Sequence, residues 1–156
     1  MSGDIFGNLR EWGEVPEQLW QLSESGSVSE HEAGLVRILR YRENWRLREM
    51  VLRVLDDLES PSDRVLSAVL DILADETLYR EVRVLAAEKL AHLVGKRLQE
   101  VDKQYSAEVH EVIRRVELLR QQPHEPVLDS AIDQSFEAIR ASLSHARSGP
   151  HGSAVW

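Results

Sequence analysis

Apolar residues recur every three or four positions along most of the chain, and no run of four or more alternates cleanly with polar residues. That periodicity predicts an all-α fold. A first helix is expected over residues 16 to about 23, with Pro16 in its first turn, Leu19 and Leu22 on one face beside Trp20, and a Ser/Gly turn closing it. Ser29 and Glu32 have the spacing of a capping box, so a second helix should open at Ser29 and carry Leu35, Val36, Ile38 and Leu39 inward to about Tyr41. The stripe Leu47, Met50, Val51, Val54, Leu55, Leu58 predicts a helix over 45–58 wide enough to pack on two neighbours. Ser60 ahead of Pro61 then predicts a new helix from 61, burying Val65, Leu66, Val69, Leu70, Ile72 and Leu73. Another amphipathic stretch covers 79–94 and is expected to stop at Gly95. Residues 95–105 read as either helix or loop. Helices follow over 106–122 and about 126–146, separated by Pro123 and Pro126, and residues 147–156 read as a tail.

The helices repeat. An offset of 35 sets Leu47 on Val82, Arg48 on Arg83, Val51 and Leu52 on the small pair Ala86 and Ala87, Leu55 on Leu90 and Leu58 on Leu93. An offset of 47 sets Val65 on Val112, Leu66 on Ile113, Val69 on Val116 and Ile72 on Leu119, and a shift of 30 the other way places Val65, Leu66 and Val69 on Leu35, Val36 and Leu39. Val82-Arg83, then Ala86-Ala87, then Leu90, resembles the first helix of HEAT-like α-solenoid repeats, including the short kind found in bilin-lyase-like proteins. The resemblance covers about 29–120. It implies antiparallel helix pairs stacked as a short solenoid that offers one curved face to a partner, and it speaks to fold far more than to chemistry. The alternative architecture is an irregular helical bundle.

With 156 residues the chain is long enough for one domain, taken as residues 1–146. It has no cysteine, which removes thiol catalysis, disulfides and thiolate metal sites. Residues 1–20 carry four acids and lack a basic start and an unbroken apolar run, so the expectation is a cytoplasmic protein without a signal peptide and outside the membrane. Net charge is −8, which works against nucleic acid as a partner. The charge is segregated. Arg37, Arg40, Arg42, Arg46, Arg48 and Arg53 stand against Glu43 and Glu49, a basic island between acidic blocks over 1–36 and 54–82. In a solenoid, Arg37, Arg40, Arg42 and Arg64, extended by Arg114 and Arg115, would line the concave side and grip acidic groups, since guanidinium forks match carboxylates. Trp20 and Trp45 read as core, whereas Trp12 and Trp156 lie outside the periodicity, where an indole either caps the helix stack or anchors a partner.

Catalytic patterns are lacking. The six histidines include no pair three or four apart, there is no Gly-x-Ser-x-Gly elbow, and no Gly-rich loop precedes a helix. Neither a metal, a cofactor nor a catalytic residue is therefore expected. The sequence favours a non-catalytic adaptor that binds a partner protein through its curved helix face, with self-association through the solenoid ends open to it. Two alternatives are an acidic inhibitor or immunity-type protein that neutralises a basic effector, and a ligand chaperone or lyase-like enzyme of the kind the short-repeat resemblance implies.

Overall fold

The computed structural model describes residues 4–99 and 107–147, and within them every regular element is helical. The α-helices are α1 Val15–Ser25, α2 Glu32–Leu39, α3 Trp45–Val54, α4 Asp63–Ala74, α5 Arg80–Leu98, α6 Ala107–Arg120 and α7 Pro126–Arg147, with 3-10 turns at Leu9–Glu14, Val28–His31 and Leu55–Asp57. Their packing runs in two rows. In the odd row α1 meets α3, α3 meets α5 and α5 meets α7; in the even row α2 meets α4 and α4 meets α6. The rows join where α2 lies on α3, α4 on α5 and α6 on α7. One apolar core lies between them, with Leu35, Leu47, Leu55, Leu66, Leu70 and Leu90 fully enclosed. Each such leucine contributes about 2 kcal/mol by leaving water.

Helix α5 holds the stack together. Its buried residues, from Val82 through Ala86, Ala87, Leu90 and Leu93 to Leu98, form a wide stripe that faces α3, α4 and α7 at once. The small pair has a structural use: Ala86 and Ala87 let α7 come close enough for the Ser135 hydroxyl to donate to the Ala87 carbonyl at 2.8 Å.

Several boundaries differ from the sequence pattern, each for a local reason. Ser29 does not cap a helix, because residues 28–31 close into a 3-10 turn; its hydroxyl instead accepts from the Glu59 amide at 2.9 Å and ties this turn to the α3–α4 connection. The cap of α4 is Ser62, whose Oγ accepts from the Val65 amide, so the helix opens two residues later than Pro61, which lies buried ahead of it. The stripe over 45–58 divides, with α3 tightening into a 3-10 turn at Leu55. Gly95 does not end α5. It has no positive φ and sits inside the helix at the approach of α7, where an added Cβ would lie 3.4 Å from the Ser142 hydroxyl. Residues 95–98 are therefore helical; the rest of the ambiguous stretch, apart from Gln99, and the tail beyond Arg147 lie outside the described residues. The left-handed turn that does end a helix is Gly26 after α1, at φ 71.

Residues ahead of α1 cover one end of the stack. Phe6 is buried against α2 at Gly34, where an added Cβ would stand 2.8 Å from the ring. Arg37 fastens the segment by donating to the Asp4 carboxylate and to the Gly7 carbonyl at 2.7 Å.

Candidate docking face

The even row carries most of the arginines expected to meet a partner, and the fold has already given several of them neighbours. Arg37 is committed to Asp4. The hydrogen bond from Arg37, stronger than the opposing effect of burial, holds the Asp4 carboxyl below its ordinary value, and the same bond raises the Arg37 pKa. Arg40 on α2 and Arg115 on α6 converge on one acceptor, Asp71 of α4, each at 3.1 Å and on different carboxylate oxygens. Three helices of the row are thus bridged by a single exposed carboxylate. Arg114 pairs with Glu111 on its own helix at 2.6 Å, and Arg64 is exposed with no ion pair among the described residues.

Where α2 and α4 end, the face opens into a cleft of about 500 Å³ lined by Arg40, Arg42, Arg48, Asp71, Asp75 and Thr77 among others. Arginines suit this position, since the C-terminal ends of α2 and α4, which carry the negative end of the helix dipole, lie beside it. Arg42 is 72% exposed and meets Asp75 at 3.5 Å. Arg48 is buried at the floor, donating Nε to the Tyr41 carbonyl at 2.8 Å, with Nη1 3.9 Å from Asp75. Burial lowers the Arg48 pKa against the opposing charge of Asp75. Burial pushes the Asp75 carboxyl upward, but hydrogen bonds from the Thr77 hydroxyl and amide and the charges of Arg42 and Arg48 outweigh it, leaving Asp75 below its ordinary value.

Arg48 and Arg83, identical at the offset of 35, hold the same post. Each is the fourth residue of its odd-row helix, each is buried, and each sends Nε back to a carbonyl of the preceding stretch, Tyr41 for Arg48 and Leu73 for Arg83, both at 2.8 Å. The fourth residue of α1, Gln18, does the same with an amide, reaching the Ile5 carbonyl at 3.0 Å.

The chain matches no family model, no curated protein and no solved structure. Function is therefore argued from these side chains. Of the sequence candidates, Arg40, Arg42 and Arg115 come together around Asp71 and Asp75, while Arg64 and Arg114 stand apart on the same row. Trp12 is partly buried in the turn ahead of α1 and packs on the core, and Trp156 lies outside the described residues. Trp20 corrects the sequence reading: it is 59% exposed on α1, because Val15, Leu19 and Leu22 alone form that helix's buried face. Trp45 is only partly buried, with its ring edge-on to Tyr79 at 4.9 Å. Sequence reasoning missed Asp71 and Asp75, because an acid on a helix face looks the same whether it points to water or bridges two other helices. Among the described residues no three His, Asp or Glu side chains gather as a metal ion requires, and no helix is long and apolar enough to cross a membrane.

Proposed function

We propose that the chain is a cytoplasmic, non-catalytic adaptor, built of helix pairs stacked in the HEAT-like manner, that binds an acidic segment of a partner protein on its even-row face. The observation that carries this reading is the pair Arg40 and Arg42, exposed over an open cleft, Arg40 paired with Asp71 and the Ser67 hydroxyl and Arg42 with Asp75. Such pairs contribute no more than about 1 kcal/mol each, so a carboxylate brought by a partner can take over either guanidinium with little loss to the fold. The floor stays fixed meanwhile, because Arg48 is anchored to Tyr41.

The test is capture of the tagged protein from its native cell at low and moderate salt, with bound protein identified by mass spectrometry, for the wild type and for Arg40→Glu with Arg42→Glu. The expected result is a stoichiometric partner that the double variant loses while its far-UV helicity stays intact. A partner held equally by both proteins would exclude this cleft, and a strongly basic partner held equally would favour the acidic-inhibitor reading.

A further inference from the structure

The starts of α3 and α5 border a cavity of about 420 Å³ lined by Trp45, Glu49, Tyr79, Glu81 and Val82. Its wall holds two aromatic rings, two carboxylates and no basic side chain, and its volume falls within the roughly 300–1,000 Å³ of ordinary ligand sites. Core packing does not account for the Tyr79 ring, which is 57% exposed and set edge-on to Trp45 with the ring planes at 63°. Helix capping does not account for it either, since the Tyr79 side chain makes no cap to α5. Trp45 already attracts a cation of the chain's own. The Arg46 guanidinium carbon lies 5.5 Å from the ring centre, and Arg46 has no ion pair among the described residues. It does not line the cavity, which leaves that space open beside the ring.

The carboxylates give the cavity its sign. Glu49 meets Arg53 at 3.5 Å and Glu81 meets Arg80 at 3.2 Å, but both arginines lie outside the lining, and Arg80 is shared with Glu125 at 2.7 Å. A hydrogen bond from its own backbone amide, helped by Arg80, holds the Glu81 carboxyl below its ordinary value, so it stays ionised at neutral pH. The positive ends of α3 and α5 oppose a cation by about half a charge each, less than the two full charges of the acids. An alkylated ammonium is weakly hydrated and carries apolar methyl groups, so aromatic faces, the Val82 side chain and carboxylates suit it together. We propose that this cavity binds an alkylated ammonium group, held against the Trp45 and Tyr79 rings and paired with Glu49 and Glu81. It shares no lining residue with the α2–α4 cleft, and it does not depend on the adaptor reading.

The experiment follows the Trp45 indole N–H and Tyr79 ring signals by NMR in the full chain during titration with choline chloride, against sodium chloride at matched ionic strength. Choline is expected to shift them saturably and sodium is not; equal responses to the two salts would overturn the proposal. The neutral analogue of choline, with tert-butyl in place of trimethylammonium, isolates the charge. It is expected to bind more weakly than choline, and equal binding would reduce the cavity to an apolar groove and overturn the proposal as well. Tyr79→Leu keeps an apolar side chain, removes no helix cap and alters an exposed position, so the variant folds where a change at the partly buried Trp45 could fail to. It is expected to weaken choline about two- to fivefold, the worth of one exposed cation–π contact, and an unchanged affinity would exclude the site. A blocked peptide bearing a single trimethyl-lysine separates the sources: tighter binding than choline assigns the ammonium to a polypeptide, and weaker binding assigns it to a small free cation.

Discussion

Gly34 shows how one missing carbon sets an end of the molecule. A methyl group there would stand 2.8 Å from the Phe6 ring, and overpacking of that kind costs about 1–3 kcal/mol, which matches or exceeds the roughly 1 kcal/mol that alanine gains over glycine within a helix. Gly34→Ala is therefore expected to lower the urea midpoint and to expose the segment ahead of α1 to protease. Asp4, which ties the same segment to Arg37, makes this end sensitive to acid. Its carboxyl titrates below the ordinary 3.8 in the folded chain, so the stabilisation is complete above that value and disappears as pH falls through the lowered one. With both side chains partly exposed the contribution is under about 1 kcal/mol. Asp4→Asn is expected to unfold at lower urea than the wild type at neutral pH, and the two midpoints should converge on acidification; a constant difference would show that Asp4 acts by something other than its charge. None of this was legible in the sequence, where Asp4 and Phe6 lie in no periodic pattern and Arg37 reads as a cation for a partner rather than as the tie to Asp4.

Apolar spacing located the helices well, because burial on one face must recur with the helical turn whatever the partner is. The ends were less legible. Ser29 and Ser62 both precede an acid in cap-like fashion, but only Ser62 has a helix to cap, since a hydroxyl is equally satisfied by an amide from another segment. Gly95 likewise has the look of a stop and proves to be a contact point between α5 and α7. Its contrast with Gly34 is testable. Gly95→Ala meets only Ser142 at van der Waals distance, so it is expected to stabilise the chain by up to about 1 kcal/mol, seen as a higher melting temperature. Leu55 and Leu90 are fully enclosed, Leu90 on α5 where α3, α4 and α7 converge, so Leu55→Asp or Leu90→Asp should abolish the cooperative far-UV transition by burying a charge with no partner.

Across the whole molecule the helices pack in two rows, and two arginines of the even row, Arg40 and Arg115, meet at Asp71. What the sequence left unread was their neutralisation, because Asp71 belongs to a different helix from either of its partners. Removing that bridge frees Arg40 and Arg115 together, so Asp71→Asn should tighten binding of an acidic partner segment in a direct titration while shifting the melting temperature only slightly. The long side chains that cross between elements have one further property. Gln18, Arg48, Arg83 and Arg97 all donate to carbonyls earlier in the chain, at Ile5, Tyr41, Leu73 and Pro61. During synthesis each acceptor leaves the ribosome before its donor, so α1, α3 and α5 each arrive carrying a latch for a segment already free to fold.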